Sequence, residues 1–319
     1  MLIVTPAPRG SRSGNRTTAL RWAALLRQLS VHVRVLQEWH GEPCDVLLAV
    51  HAAKSAASVA ACAAALPNVR IAVLLAGTDV YPEFHPDHAT MASLERADTL
   101  IALQPRAVDV LPARLRPKVR TIVQSATAVP GNRKETPFRA CVLAHLRPIK
   151  DPLLPFLAMS HVPRTVAVEL VVAGRALLPE LGAAANEAAR SDPRCRWVGE
   201  LKRRAARELL AQSHVCIVPS AAEGGANVVS EALAAGTPIL ATRIPGNLGL
   251  LGDDWPGLFA PGDARELAAL LQRAATDSAF YQLLLARTRH LQHLVEPRRE
   301  SAALRALLVD LAVLPADGC

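Results

Sequence analysis

Two glutamates, Glu223 and Glu231, stand on either side of a Gly-Gly pair with seven residues between them. Glycines let the backbone approach a ligand closely, and a helix beginning after them would offer unpaired N–H groups to an anion. Carboxylates accept hydrogen bonds from paired sugar hydroxyls. The pattern therefore predicts a site for an anionic ligand that carries hydroxyls, although a surface loop with a helix cap would need no ligand.

A second group of charged residues lies in the stretch His145-Leu-Arg-Pro-Ile-Lys-Asp151, directly after an apolar run. Arg147 and Lys150 are two fixed cations, and such a pair stabilises the charge that a leaving diphosphate develops without the help of a metal. An Arg and a Lys three residues apart are more often a solvated face. The position after a predicted strand favours the binding role here.

The first loop of the chain combines positive charge with conformational freedom. Guanidinium forks and backbone N–H groups could together hold an oxyanion, so we expect an acceptor-binding loop here, although a flexible polar loop is the simpler alternative. The candidate residues are Arg9, Gly10, Arg12, Gly14, Asn15 and Arg16.

Two further loops bring polar side chains to the same predicted edge. His51 and Lys54 follow one apolar run, and Thr78 and Asp79 follow the next. We assign all four to acceptor binding. Because a carboxylate repels an anion, Asp79 is expected to hold an Arg or Lys in place.

Short apolar runs, each followed by a loop and a segment of helical period, indicate stacked βαβ units. The predicted strands are 2–5, 31–36, 45–50, 71–75, 99–103 and 120–123, then 139–144, 166–172, 195–198, 215–218, 238–241 and 258–259. Predicted helices are 17–29, 52–65, 88–96, 203–212, 228–235, 265–275, a stretch from about 278, and 298–311. The sequence therefore predicts two parallel sheets.

The polar segment 129–137 is bounded by prolines and is interpreted as a linker. We expect an N-terminal acceptor-binding Rossmann-like domain over 1–135, a nucleotide-sugar-binding Rossmann-like domain over 136–295 and a C-terminal helix over 296–319. Ligands of open parallel sheets bind outside the carboxyl ends of the strands. Two such edges facing each other would form one central cleft.

The segment from Glu223 to Glu231 resembles the E-x7-E signature of the large retaining family of GT-B glycosyltransferases (family 4-like). The resemblance implies that Glu223 contacts the donor sugar, that Glu231 binds the ribose hydroxyls and that Arg147 and Lys150 clamp the diphosphate. It also implies that backbone around the first turn of the helix, together with one further glycine, faces the donor. These residues are Gly224, Gly225, Ala226, Asn227, Val228 and Gly174.

Several less widespread motifs, among them Gly77-Thr-Asp79 and Arg243-Ile-Pro-Gly-Asn247, are similar to those of the selenosugar synthases of selenoneine biosynthesis. The similarity runs over nearly the whole chain. It implies transfer of N-acetylglucosamine or glucose from a UDP-sugar to selenophosphate, with a carbon–selenium bond formed and UDP and phosphate released.

The composition narrows the classes of partner. A net charge of +8 and a pI of about 9.6 favour anionic ligands. The sequence has no dense basic tract with interleaved aromatic residues, so nucleic acid is not the expected partner. The cysteines have no metal-ligand spacing, and Asp253-Asp254 lies in a polar turn, so neither a metal nor another cofactor is expected. No apolar stretch is long enough to insert stably in a bilayer, and we expect a cytoplasmic protein. The oligomeric state is left open.

Three other functions are compatible with the same fold. A glycosyltransferase with a lipid or carbohydrate acceptor would want a basic amphipathic helix near the N-terminus, and residues 17–29 show no clear face of that kind. A UDP-sugar epimerase would need acid and base carboxylates instead of an oxyanion loop. A silent nucleotide-sugar sensor would lack part of the set Glu223, Arg147 and Lys150, all of which are present.

Overall fold

In a computed structural model, which describes residues 1–11, 13–77, 79–81 and 84–315, the chain divides into two compact units. The first unit comprises residues 1–124 together with the segment from Pro297 onward, and the second comprises Ser125–Glu296. Each unit is built around its own parallel sheet.

The first unit alternates strands and helices. Its strands are Leu2–Val4 (β1), Arg34–Leu36 (β2), Val46–Val50 (β3), Arg70–Leu75 (β4), Thr99–Ala102 (β5) and Val119–Thr121 (β6). Helices Gly14–Gln28 (α1), Ala52–Ala65 (α2) and His88–Arg96 (α3) connect them. The six strands lie in the order β2-β1-β3-β4-β5-β6, and all pairings are parallel.

The second unit repeats this plan. Its strands are Phe138–Leu143 (β7), Val168–Ala173 (β8), Cys195–Trp197 (β9), Val215–Val218 (β10), Ile239–Thr242 (β11) and Leu258–Phe259 (β12). Its helices are Leu154–His161 (α4), Pro179–Ser191 (α5), Arg203–Gln212 (α6), Asn227–Ala235 (α7), Pro245–Leu251 (α8), Ala264–Thr276 (α9) and Ser278–Leu291 (α10). The parallel order is β12-β11-β10-β7-β8-β9.

Both sheets have a point at which the order of the strands reverses. In the first unit the chain leaves β1 toward β2 on one side and then continues from β3 on the other. In the second unit the reversal lies between β7 and β10. Loops that leave such neighbouring strands in opposite directions open a crevice at the carboxyl edge, which is where ligands of this fold bind.

The final helix, Pro297–Asp310 (α11), packs against α1 of the first unit. Leu304 and Leu308 join the apolar core around Trp22. The indole Nε1 of Trp22 donates a hydrogen bond of 2.6 Å to the carboxylate of Glu300, and Glu300 is only 1% exposed. The apolar contacts of Leu304 and Leu308 and the buried hydrogen bond of Glu300 therefore hold α11 against the core of the first unit.

All predicted strands overlap strands of the structure, because apolar runs flanked by turns describe buried parallel strands well. The expectation of two Rossmann-like α/β domains is thus confirmed. Three helices were not predicted: α4, α5 and α8. Helix α4 is apolar on several sides, α5 buries only Gly182 and Ala185, and α8 is short, so none of them shows a clear helical stripe.

The predicted linker 129–137 is irregular in structure but is fastened to the second unit. The guanidinium of Arg133 donates to the carbonyl oxygens of Ser213 and Gly236, each at 2.9 Å, and to the hydroxyl of Thr237 at 3.0 Å. A Cβ placed on Gly131 would lie 2.4 Å from the carbonyl oxygen of Ala211. Gly131 and Arg133 therefore attach this segment to the second unit, while residues 134–137 are exposed.

Candidate functional site

The loops that follow β7 and β10 meet at the point where the strand order of the second sheet reverses. One runs through residues 144–151, and the other runs through 219–226. The amide of Ala221 donates a hydrogen bond of 2.9 Å to the carbonyl oxygen of Ile149, so the two loops are directly connected. They bring six of the predicted site residues to one place: Arg147, Lys150, Glu223, Gly224, Gly225 and Ala226.

Glu223 and Lys150 form an ion pair across these two loops. Their side chains are 9% and 18% exposed, respectively. The hydroxyl of Ser220 donates to the same carboxylate oxygen, Oε1, at 2.6 Å. Because both donors engage Oε1, the other oxygen of Glu223 has no partner among the described residues. The carboxylate is thus held in one orientation with one oxygen available for a ligand.

Arg147 begins the short 3-10 turn Pro148–Lys150 and is half-buried. Within the described part of the chain, its guanidinium makes no hydrogen bond or ion pair. Asp151 ends the turn with a left-handed φ of 41°, and burial raises the pKa of its carboxyl group. The turn therefore presents two cations: Lys150, which is paired with Glu223, and Arg147, which has no partner among the described residues.

Helix α7 starts at this edge without a side-chain cap on Ala226. The N–H groups of its first turn have no earlier helical carbonyl to bond, which makes the helix start a suitable place for a phosphate. Gly224, Gly225, Ala226, Asn227 and Val228, all predicted from the sequence, lie in this loop and first turn. The helix begins one residue earlier than predicted.

Glu231 lies one turn into α7 and faces a residue that the sequence did not single out. The Nε of Arg207, on α6, is 4.0 Å from Oε1 of Glu231. Burial lowers the pKa of Arg207, and its Nε is buried without a hydrogen-bond partner. A basic residue on a helix with Arg203 and Arg204 carries no distinguishing pattern, so only the packing of α6 on α7 reveals this pair.

Gly174 lies at the end of β8, beside the loop after β7. A Cβ at this position would lie 1.8 Å from the carbonyl oxygen of Ala144, so the close approach requires glycine. Its amide donates to the carbonyl oxygen of Gly199 at 2.8 Å, and its carbonyl accepts from the indole of Trp197 at 2.9 Å. The structure therefore places Gly174 next to the loop after β7 and gives it a packing role.

The first unit has its own loop site, between β1 and β3. The hydroxyl of Ser13 caps α1 by accepting from the amide of Arg16 at 3.4 Å. Helix α1 therefore begins at Gly14, three residues before the predicted start. The expectation that Gly14, Asn15 and Arg16 lie in the loop is wrong, since this cap places them in the first helical turn.

Arg16 is the most unusual residue of this first turn. It is only 9% exposed, and its Nε is buried without a hydrogen-bond partner. Among the described residues no carboxylate pairs with its guanidinium. Burial of an uncompensated cation is costly, so such a residue indicates a site for an anion.

His51 caps α2 with an unusual backbone. Its φ is 75°, and its Nδ1 accepts a 3.4 Å hydrogen bond from the amide of Lys54. Residues other than glycine rarely adopt positive φ, and such strain tends to collect at functional sites. Burial lowers the pKa of His51, although the nearby Asp79 acts in the opposite direction.

The expectation that Asp79 holds an Arg or a Lys does not agree with its contacts to the described residues. Its carboxylate accepts from the backbone amides of Ala52, Ala76 and Gly77 at 2.7, 3.1 and 2.7 Å, and lies 3.6 Å from Nδ1 of His51. Among the described residues, it binds three backbone amides and a histidine, and it contacts no Arg or Lys. Backbone amides satisfy a buried carboxylate well, so Asp79 ties the loop after β4 to the start of α2.

The remaining described residues of the first site are exposed to solvent. Arg9, Gly10 and Lys54 are exposed, and neither Arg9 nor Lys54 forms an ion pair with a described residue. Arg12 and Thr78 lie outside the described residues. The described cations of this loop cluster are therefore free of carboxylate partners.

Among the described residues, no group of three or more His, Cys, Asp or Glu side chains is arranged to hold a metal ion. None of the described helices combines the length and apolar character that crossing a bilayer requires.

Residues 141–277 match the family described as Glycosyl transferases group 1. The matched segment contains both loops of the second site. No curated protein sequence matches the chain.

Solved structures with the same fold cover nearly the whole chain. Sucrose-phosphate synthase from Thermosynechococcus elongatus is 16% identical, with a TM-score of 0.81 and coverage of 98% of each chain. Anabaena HepE in complex with UDP-glucose is 16% identical, with a TM-score of 0.75 and coverage of 98% of this chain and 99% of that one. A glycosyltransferase from Rickettsia africae is 12% identical, with a TM-score of 0.76 and 98% coverage of each.

These matches establish the GT-B fold for the chain. Beyond the fold, residues 141–277 are similar to the glycosyl transferases of group 1.

Proposed function

We propose that the protein transfers N-acetylglucosamine or glucose from a UDP-sugar to selenophosphate. The selenium would attack the anomeric carbon and form a C–Se bond, while the C–O bond to UDP breaks and leaves its electron pair on the diphosphate. Hydrolysis of the Se–P bond by water would then give inorganic phosphate and the selenosugar. The observation that carries the proposal is the grouping of Lys150, Glu223 and Arg147 beside the start of α7.

The donor half of the proposal rests on the second unit. Arg147 has no partner among the described residues, and the first turn of α7 offers N–H groups, so both can neutralise a diphosphate. The free oxygen of Glu223 can accept from a sugar hydroxyl, and Glu231 can accept from the ribose. The HepE structures with UDP and with UDP-glucose support uridine nucleotides as the donor class.

The same residues account for charge neutralisation during transfer. As the bond to UDP breaks, negative charge grows on the diphosphate, and a preorganised cation stabilises it without reorganisation. We assign this role to Arg147 and Lys150 and propose no metal. Addition of EDTA should therefore leave the rate unchanged, and loss of activity that Mn²⁺ or Mg²⁺ restores would refute this assignment.

The acceptor half rests on the first unit. Arg16 is buried and has no anionic partner among the described residues. Arg9, in the loop after β1, and Lys54, in the first turn of α2, likewise form no ion pair with a described residue. A small trivalent or divalent anion satisfies such groups better than a neutral hydroxyl does. Selenophosphate has this charge and carries a polarisable selenium nucleophile that needs little help from a base.

The deciding experiment measures UDP release by the purified protein with UDP-N-acetylglucosamine or UDP-glucose. Parallel reactions contain selenophosphate, inorganic phosphate or buffer alone, and the products are identified by mass spectrometry. Release of UDP that depends on selenophosphate, with a selenium-bearing sugar as product, is the expected result. Release with a lipid or carbohydrate acceptor instead would reject the acceptor assignment, and no release in any reaction would reject the transfer.

A further inference from the structure

A chain of buried hydrogen bonds leads from α8 to the carboxylate of Glu223. It begins at Asn247, which is 0% exposed and whose Nδ2 donates to the carbonyl and the hydroxyl oxygens of Thr242 at 3.0 and 3.1 Å. The hydroxyl of Thr242 donates to the carbonyl oxygen of Ser220 at 2.6 Å. Ser220 in turn donates its hydroxyl to Glu223 at 2.6 Å.

Asn247, Thr242 and Ser220 are all protected from water. Thr242 is 0% exposed and Ser220 is 2% exposed. A hydrogen bond in such surroundings is electrostatically stronger than one in water, and leaving either partner unsatisfied is costly. The chain therefore fixes the geometry of each residue in it, with Glu223 as its only member that reaches the surface of the site.

A second contact between α8 and the same loop is independent of these hydrogen bonds. A Cβ placed on Gly246 would lie 2.0 Å from the carbonyl oxygen of Glu223 and 2.9 Å from its Cβ. The backbone of α8 thus packs directly on the backbone of Glu223. Both observations concern the motif Arg243-Ile-Pro-Gly-Asn247, to which the proposed transfer itself gives no role.

We infer that Thr242, Asn247 and Gly246 are positioning residues for Glu223: they fix the Ser220–Glu223 loop so that one carboxylate oxygen stays on Lys150 and the other faces the donor sugar. The inference rests on the proposed function for the role of Glu223, but the packing of the loop does not depend on it. A carboxylate displaced by a fraction of an ångström would still bind the nucleotide, while the reaction would slow.

Thr242 allows a clean test because valine has nearly the same shape and lacks the hydroxyl. Thr242→Val should lower kcat about tenfold, with the donor KM and the Kd for UDP changed by less than about twofold. Thr242→Ser keeps the hydroxyl and should restore most of the rate. The number of UDP sites per chain, from calorimetry, should stay the same in both variants.

Thr237 provides a matched control at the opposite end of β11. It is also 0% exposed, its hydroxyl donates to the carbonyl oxygen of Leu210 at 3.0 Å, and it accepts from Arg133. Thr237→Val should therefore lower thermal stability to a similar degree and leave kcat unchanged. Equal kcat losses in Thr237→Val and Thr242→Val, or none in Thr242→Val, would overturn the positioning role.

The outcome separates this inference from the proposed function. If the wild type turns over and Thr242→Val is equally fast, the network is refuted and the function stands. If the wild type shows no transfer, the crystal structures of the two Thr242 variants decide. A carboxylate of Glu223 displaced in the valine variant alone would support the network, and unchanged positions in both variants would overturn it.

Discussion

The two units use one architecture but balance charge at their loop sites in opposite ways. In the second unit, carboxylates and cations are paired across loops and helices: Lys150 with Glu223, and Arg207 beside Glu231. In the first unit, Asp79 binds backbone amides and His51, while Arg16 is buried and has no carboxylate partner among the described residues. Among the described residues, the second site has two such pairs and one unpaired cation, Arg147, whereas Arg9, Arg16 and Lys54 of the first site all lack a carboxylate partner.

The difference in charge pairing predicts which kind of ligand each site binds. A site of paired charges can orient hydroxyl groups, since its carboxylates already lie in fixed directions and are not repelled by a neutral sugar. A site of unpaired cations gains most from a small anion that supplies the missing charge. The proposed donor and acceptor differ in this respect, and substitutions in the two units should therefore affect different kinetic constants.

The largest effect is expected from breaking the central pair of the second unit. Glu223→Gln removes the charge that holds Lys150 and weakens acceptance of a sugar hydroxyl, so kcat should fall by about a hundredfold or more. UDP affinity should change little. The measurement is UDP release under saturating donor, with Glu187→Gln as control, because Glu187 is an exposed glutamate of the same unit. Full activity of Glu223→Gln would remove this residue from the reaction.

The next effect concerns the unpaired cation of the second unit. Arg147→Ala deletes a charge-assisted contact worth roughly 1.5–3 kcal/mol, which corresponds to a UDP Kd raised about tenfold or more. Calorimetry with UDP checks this value. Arg164→Ala, at an exposed arginine of the same unit, should bind UDP as the wild type does. An unchanged Kd in Arg147→Ala would place the diphosphate elsewhere.

A smaller and opposite pattern is expected in the first unit. Arg16→Gln should raise the KM for selenophosphate about tenfold while the KM for the UDP-sugar stays the same, because only the anionic acceptor needs the buried charge. Arg34→Gln serves as the control, since Arg34 lies exposed on β2. Equal changes in both KM values would end the assignment of the acceptor to this loop.

The smallest effect is a pH dependence of stability. Burial lowers the pKa of His51 below the ordinary value of 6.5, so the folded chain binds fewer protons than the unfolded chain at mildly acidic pH. The contribution of His51 is therefore present above about pH 6.5 and is lost as pH falls through the folded-state pKa.

His51→Asn should make the fall of Tm between about pH 7 and pH 5 less steep, because asparagine can cap a helix and adopts positive φ but does not titrate. Thermal unfolding followed by circular dichroism measures the slope. Some slope should remain, since burial also lowers the pKa of His214 in the second unit. A slope identical to that of the wild type would contradict the assignment to His51.

The alternation of strands and helices, and many residues of the candidate site in the second unit, could be predicted from the sequence. Buried parallel strands are continuous apolar runs, and glycines, acidic residues and a helix start within a few positions produce a local signal that survives without tertiary information. For this reason Glu223, Glu231 and the backbone between them could be singled out in advance. The same reasoning located Arg147 and Lys150, because they follow a strand.

The ion pairs and hydrogen bonds between residues distant in the sequence could not be predicted, because they depend on the tertiary structure. The pairing of Arg207 with Glu231 depends on how α6 packs on α7, and the chain from Asn247 to Glu223 joins residues of α8, β11 and the loop after β10. Asp79 could equally have held a cation, but among the described residues its carboxylate accepts from the amides of Ala52 and Gly77. A hydrogen bond needs a partner within about 3 Å in a suitable direction, and separation along the chain does not fix that distance.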